Sequence, residues 1–205
     1  MSRPENSEYH YGLVAILLHW IMAALLIVLI LLGAYMVSLP DVGFNTKKIT
    51  LILVHKQLGI LALFLVAVRT AWRSANTLPM MAEQIPAWQQ FAARFVHLLL
   101  YALMFALPTS GWLMSSAAGI PVAFFGLFTL PDYIVRDEFL FRAFIALHRW
   151  LAYGLVLLLS LHAGAALAHH FLFRDDTLKR MLPNGEDGCE DHENPGMAGG
   201  KTAQH

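Results

Sequence analysis

Cysteine and charge are both scarce in this sequence. Its 205 residues include one cysteine, Cys189, and 14% are charged, whereas 58% are hydrophobic. One cysteine excludes an intramolecular disulfide framework, a cysteine-rich zinc or iron–sulfur site, and haem attached through a C-x-x-C-H signature. Fourteen Lys and Arg balance fourteen Asp and Glu, so no nucleic-acid partner is expected. Since soluble domains carry about 25% charged residues, this composition indicates a membrane protein.

Long apolar runs are abundant. A membrane-spanning helix needs roughly 20 mostly apolar residues, because lipid cannot satisfy the hydrogen-bonding groups of the backbone. Four segments meet this requirement, at about residues 12–37, 49–72, 91–114 and 144–173. The first is too long for a signal peptide and no small-x-small cleavage site follows it. We therefore predict an all-α membrane protein that forms a four-helix transmembrane bundle.

The remaining segments differ from the spans. The connection Ser115–Arg142 contains the apolar stretch GIPVAFFGLFTLP, which glycines and prolines interrupt, so a re-entrant or surface-lying piece is expected there. After Pro183 the sequence is polar, acidic and rich in glycine. We therefore divide the chain into a membrane domain, residues 1–183, and a disordered polar tail, residues 184–205.

The basic residues give a weak indication of orientation. With four spans, both termini lie on one side of the bilayer. Eight Lys and Arg fall on that side and six on the other: Arg3, Arg69, Arg73, Arg94, Arg174, Lys179, Arg180 and Lys201, against Lys47, Lys48, Lys56, Arg136, Arg142 and Arg149. The positive-inside rule then favours cytoplasmic termini.

Histidine is the residue type most suited to chemistry here. Five of the ten histidines fall within the spans: His19, His55, His97, His148 and His162. His148 and His162 are 14 positions apart, which places them on nearly the same helix face and roughly 21 Å apart along the helix. A polar ring at membrane depth is costly unless it is hydrogen-bonded or binds a ligand.

Depth in the bilayer pairs four of these histidines. His19 lies about two turns into the first span, on the side of the termini, and His162 lies near the end of the fourth span on that same side. His55 and His148 both lie near the opposite side. The sequence therefore predicts two stacked pairs, His19 with His162 and His55 with His148.

Two imidazoles on opposite sides of a metal, in an apolar surround, fit a six-coordinate b-type haem best. Small residues near the ligands would let a flat macrocycle approach the helices: Gly59, Gly154, Ala163 and Gly164. Single histidines and small residues also serve ordinary helix packing, and a scaffold protein without haem is the alternative from that class. Four histidines at matched depths favour haem.

Several stretches resemble the bacterial cytochrome b561 family. They are ILLHW in the first span, VHKQLGI in the second, LLYALMFALPTSGW in the third, FFGLFTLP, and LHRWLAYGLVLLLSLHAGAALAHHFLFRDDTLKRMLP in and after the fourth. The resemblance covers about residues 8–183 and is strongest to the superoxide oxidase branch. It implies a four-helix bundle enclosing two haems b, with axial ligands at His19, His55, His148 and His162. It further implies an inner-membrane oxidoreductase, with cytoplasmic termini, that passes electrons from superoxide to ubiquinone.

Other polar residues on the side of the termini are candidates for a quinone or proton site. His97 could contact a quinone, or could instead hydrogen-bond a haem propionate or the backbone. His169 follows His162 by seven positions and, with Arg69 and Arg73, could bind a quinone carbonyl. Arginines at such depth also commonly extend to the interface without a ligand.

Basic residues on the opposite side could attract superoxide. A cationic surface raises the encounter rate of a small anion, and we assign this steering role to Lys47, Lys48 and Arg142. The alternative is neutralisation of haem propionates, which we assign to Arg149, the neighbour of His148.

A second function keeps the haems and changes the electron donor. Related di-haem bundles link a periplasmic dehydrogenase or hydrogenase to the quinone pool as subunits of a complex. Ser115–Arg142, with Phe124, Phe125 and Phe128, could dock such a partner or lie in the membrane interface. A partner protein is therefore possible but not required.

Overall fold

Four long α-helices make up most of the chain. A computed structural model describes residues 11–40, 45–77 and 86–182. The helices are α1 (Leu13–Ser38), α2 (Thr46–Ala75), α3 (Ala87–Ala118) and α4 (Glu138–Ala168). A π-helical turn, His169–Phe173, continues α4, and a 3₁₀ turn, Lys179–Met181, follows it. All four helices, α4 being counted through Phe173, are long and apolar enough to cross a membrane, which confirms the predicted all-α transmembrane bundle.

The helices extend beyond the apolar runs that predicted them. α4 begins at Glu138 rather than near residue 144, because the Asp137 side chain accepts a hydrogen bond from the Leu140 amide and caps the helix. Asn45 caps α2 in the same way, through the Lys48 amide. Hydropathy marks only the part of a helix that lies in lipid, so it underestimates the length of helices with polar ends.

The packing of the helices is uneven. α1 packs against α2, α2 against α3, and α3 most extensively against α4. The backbone of α4 approaches neither α1 nor α2 as closely within the described residues. Side chains therefore have room between α4 and those two helices.

A small apolar core holds the four helices together. Its buried members come from every helix: Met22, Leu26, Val66, Leu100, Met104, Leu107 and Leu155. Large apolar side chains elsewhere face outward, as Leu31 and Phe64 do, each 64% exposed. This distribution suits a bundle surrounded by lipid rather than water.

The apolar stretch between α3 and α4 forms a β-hairpin. β1 (Ala123–Phe124) pairs antiparallel with β2 (Phe128–Thr129), and the turn places Phe125 and Gly126 at φ +46° and +75°. Val122 and Leu130, which flank the two strands, are buried, whereas Phe125, Leu127 and Phe128 are exposed. The segment is thus surface-lying and contains no fifth span. We call this end of the bundle the hairpin face, and the end where α1 begins and α4 ends the terminal face.

Some predictions fall outside the described residues. The polar tail, residues 184–205, lies outside them, as do Arg3 and Lys201 from the charge comparison. The division into a membrane domain and a tail therefore stays a prediction.

Candidate functional site

Four histidines meet as two pairs, each of which bridges α4 to another helix. The ring centroids of His19 in α1 and His162 in α4 are 6.1 Å apart, with an interplanar angle of 61°. Those of His55 in α2 and His148 in α4 are 6.3 Å apart, at 76°. These are the pairs that the depth argument predicts. Each pair spans an interface where the α4 backbone stands away from its neighbour.

The separation of the rings suits a metal ion between them. Metal–imidazole bonds are about 2 Å long, so two opposed nitrogens lie about 4 Å apart and the ring centres roughly 6 Å apart. Both observed separations, 6.1 and 6.3 Å, agree with that value. The rings of each pair are thus spaced as two ligands of one metal ion would be.

Hydrogen bonds orient His148 for such a role. Its Nδ1 lies 3.1 Å from the Leu107 carbonyl oxygen and 2.9 Å from the Ser110 hydroxyl. Because a carbonyl can only accept, Nδ1 carries the proton and Nε2 keeps its lone pair. A ligand histidine commonly donates its second ring N–H to a carbonyl in this way. Ser110, which is buried in α3, was not predicted.

Two glycines lie against the rings of the hairpin-face pair. A Cβ added at Gly33 would lie 3.5 Å from Cε1 of His55, and one at Gly111 would lie 3.4 Å from Cε1 of His148. The buried Nδ1 of His55 has no hydrogen-bond partner among the described residues. The small residues predicted near the ligands behave differently, since an added Cβ would meet nothing within 4 Å at Gly59 or Gly164.

Two arginines and a tyrosine surround the terminal-face pair. Arg69 donates from Nη2 to Nδ1 of His19 at 2.9 Å and from Nε to the Tyr101 hydroxyl at 3.0 Å. The Arg73 guanidinium lies 5.7 Å from the centre of the Tyr101 ring. Arginine only donates, so in this arrangement Nε2 of His19 carries the proton. If Nε2 of His19 bound a metal, its proton would have to move to Nδ1. Arg69 would then have to release Nδ1.

His97 joins this cluster from α3. Its ring centroid lies 5.2 Å from that of His162, at an interplanar angle of 64°. Arg69 and Arg73 also lie within electrostatic range of it. The structure therefore brings together three of the four residues predicted for a quinone or proton site, namely His97, Arg69 and Arg73.

The fourth, His169, belongs to a separate group. Its Nδ1 pairs with Oδ2 of Asp175, which follows the π-helical turn. Burial acts to raise the pKa of the Asp175 carboxyl, but hydrogen bonds from Thr177 and His169 outweigh it and hold that pKa below its ordinary value. Asp175 as the partner of His169 was not predicted.

The basic residues of the hairpin face have partners of their own. Lys47 donates to the Tyr35 hydroxyl, and Lys48 donates to the Leu39 carbonyl at 3.0 Å. Arg142 pairs with Glu138 at 2.8 Å, with both side chains exposed. That carboxylate offsets the charge of Arg142, so Lys47 and Lys48 are the stronger steering candidates. Arg149, next to His148, is exposed.

The family model described as prokaryotic cytochrome b561 matches residues 10–184. The chain belongs to the prokaryotic cytochrome b561 family. It is therefore a haem b protein that transfers electrons in a membrane. The alternative of a scaffold without haem does not agree with this membership.

Curated relatives agree with the family. The chain is 37% identical to cytochrome b561 homolog 2 of Escherichia coli strain K12 over 178 residues, which cover 86% of this chain and 93% of that protein. It is 32% identical to cytochrome b561 homolog 1 of the same strain over 63% of this chain and 73% of that protein. It is also 27% identical to a protein of Yersinia pestis named probable superoxide oxidase CybB, over 84% of this chain and 96% of that protein.

The residues present fit haem b. Each pair places two imidazoles, the usual ligands of a six-coordinate haem iron, 6.1 or 6.3 Å apart, and the α4 backbone stands away from α1 and α2. Haem b is held without a covalent bond to cysteine, which agrees with a sequence that has one cysteine.

Proposed function

We propose that this cytochrome is a superoxide:ubiquinone oxidoreductase of the bacterial inner membrane with two haems b. His55 and His148 would hold one haem and His19 and His162 the other. The observation that carries the proposal is the presence of two histidine pairs, 6.3 and 6.1 Å between ring centres, near opposite ends of one bundle. Haem b, when bound, supplies one-electron transfer. The likeness to a protein named probable superoxide oxidase supports superoxide as the donor.

The overall reaction balances with two superoxide ions for each quinone. Each superoxide loses one electron and becomes oxygen, and one ubiquinone gains two electrons and two protons to become ubiquinol. The chain must therefore attract an anion at one face and deliver protons at the other.

On the hairpin face, Lys47 and Lys48 would attract the anion. Both lie in the first turn of α2, on the side of the bundle where His55 and His148 lie. Their charges concentrate small anions near that pair, and salt weakens the effect. Arg142 contributes less, because Glu138 compensates its charge.

On the terminal face, the chain would bind ubiquinone and move protons. Arg69, Arg73 and His97 surround the His19/His162 pair and can donate hydrogen bonds to a quinone carbonyl. His169, which Asp175 holds at Nδ1, would be the proton-relay residue of this face. This face would be cytoplasmic, as the larger number of basic residues there favours.

Absorbance of the purified, oxidised protein tests the proposal. Superoxide generated enzymatically should reduce the haem, superoxide dismutase should suppress that reduction, and added ubiquinone should reverse it. A haem spectrum that does not change when superoxide is generated would contradict superoxide as the electron donor.

The exposed hairpin favours one alternative. Phe125, Leu127 and Phe128 are 51%, 77% and 55% exposed at the face where a protein donor would dock. The cytochrome would then be the membrane subunit that links a periplasmic dehydrogenase or hydrogenase to the quinone pool. A partner that copurifies in a fixed ratio and reduces the haem would support this alternative and contradict the free-standing enzyme.

A further inference from the structure

An open cavity at the terminal face has two cationic side chains, Arg174 and Lys179, in its lining. Its volume is about 340 Å³, and its lining residues are His170, Phe171, Arg174, Asp175 and Lys179. It lies at the end of the fourth span, which Phe173 completes. A cavity at that level opens where phospholipid headgroups meet water.

The charges around this cavity favour an anion. Arg174 and Lys179 are cations at neutral pH, and His170 adds a ring that can donate a hydrogen bond. Among the described residues one carboxylate, that of Asp175, lines the cavity, and it already accepts hydrogen bonds from His169 and from the Thr177 amide. Lys179 also pairs with Asp176, but both of those side chains are exposed and solvent screens the pair. Within the described lining, two cations therefore stand against one carboxylate.

The backbone at Arg174 is unusual for an arginine. Its φ and ψ are +55° and +35°, a left-handed conformation that commonly ends helices at glycine or asparagine. Its amide donates to the His169 carbonyl oxygen and closes the π-helical turn. Glycine would do this without strain, so an arginine here indicates that the side chain has a use. A guanidinium can donate two parallel hydrogen bonds to a phosphate.

Contacts nearby fix the cavity and leave an apolar surface beside it. The Trp20 indole N–H donates to the Met181 carbonyl oxygen at 2.6 Å, which ties the segment after the cavity to α1. Phe171 and Leu172 are 67% and 75% exposed at the end of the span. Acyl chains can lie along these side chains while a headgroup occupies the cavity.

We propose that this cavity binds a phosphate group, either the phosphodiester of an acidic phospholipid headgroup or free phosphate. Arg174 anchors the anion, and His170 and Lys179 assist it. None of the cavity's lining residues belongs to the two histidine pairs, and the proposal does not depend on which donor reduces the protein.

Native mass spectrometry of the purified full-length protein tests this site, with phosphatidylglycerol and phosphatidylcholine as lipids. The wild-type protein should retain phosphatidylglycerol and not phosphatidylcholine. Arg174→Gly should weaken phosphatidylglycerol binding at least tenfold, while its thermal stability without lipid stays the same or rises because glycine relieves the strain. Arg174→Lys should keep part of the affinity. Arg94→Gln removes one exposed cation from α3 outside the cavity and should bind as the wild type does.

Competition identifies the source of the phosphate. If inorganic phosphate displaces phosphatidylglycerol, the phosphate group alone is recognised. If it does not, the lipid is required. The proposal would be overturned if Arg174→Gly bound phosphatidylglycerol as well as the wild type does. It would also be overturned if Arg94→Gln lost as much phosphatidylglycerol binding as Arg174→Gly, or if the wild type retained phosphatidylcholine as well as phosphatidylglycerol. Displacement of phosphatidylglycerol by a short-chain ubiquinone would also overturn it, because the cavity would then belong to a quinone site.

Discussion

Gly111→Val should remove one of the two proposed haems. A Cβ at this position lies 3.4 Å from Cε1 of His148, which is ordinary contact. The methyl groups of valine extend about 1.5 Å further. One of them would then approach the ring to roughly 2 to 3 Å, whereas carbon atoms prefer about 3.5 to 4 Å. The ring must withdraw by about 1 Å or more, a large part of a metal–imidazole bond of about 2 Å.

Alanine at the same position separates this steric effect from a general change in α3. Gly111→Ala places only the Cβ at 3.4 Å, so both haems should remain, and helix propensity should stabilise α3 by up to about 1 kcal/mol. Ala102→Val, at an exposed position of the same helix, controls for a β-branched residue.

Haem extracted into pyridine and measured against protein concentration is the assay. The expected ratio is two haems per chain for the wild type, Gly111→Ala and Ala102→Val, and one for Gly111→Val. Full haem content in a folded Gly111→Val protein would refute the assignment of His148 as a ligand.

Three further predictions concern single contacts. Ser110→Ala removes the hydroxyl that lies 2.9 Å from Nδ1 of His148. It should lower the free energy of thermal unfolding by about 0.5–1.5 kcal/mol while both haems remain. Loss of a haem would mean that the hydroxyl, rather than the Leu107 carbonyl, orients the ring. Lys47→Gln should slow superoxide-driven haem reduction several-fold at low salt and much less at high salt, and a rate independent of both charge and salt would contradict steering. The pKa of Asp175 is held below its ordinary value of 3.8, so its contribution to stability is complete above that pH and is lost as the pH falls through the lowered pKa. Asp175→Asn should therefore reduce the loss of thermal stability on acidification below about pH 4, and an unchanged acid profile would contradict the lowered pKa.

The sequence was sufficient to predict the four spans and the pairing of the histidines by depth. Uninterrupted apolar length marks a spanning helix, and position along a span determines depth. His55 and His148 could therefore be paired without knowledge of how the helices rotate. The structure brings both predicted pairs of rings together. Their role as ligands stays a prediction.

Contacts that depend on helix rotation could not be predicted. Gly33 and Gly111 lie against histidine rings because of how α1 and α3 turn toward their neighbours. Neither glycine differs in the sequence from Gly59 or Gly164, which have open space. The contact of Arg69 with Tyr101 depends on rotation in the same way.

Two other features depend on local backbone conformation and could not be predicted from the sequence. The left-handed Arg174 returns the chain toward α4 and brings Asp175 to His169, where the sequence predicted only that a span ends near residue 173. The β-hairpin has strands of two residues each, too short to show the alternating pattern of a strand. In both places a residue in the left-handed region makes the turn.

The direction of electron flow tests the central claim most directly. Haem absorbance should be followed during superoxide generation in His19→Ala and His55→Ala, each of which is expected to keep one haem. Superoxide should still reduce the His19→Ala protein, which keeps the hairpin-face pair, but ubiquinone should no longer reoxidise it rapidly. The His55→Ala protein should be reduced much more slowly than the wild type. Reduction of His55→Ala at the wild-type rate would contradict the account.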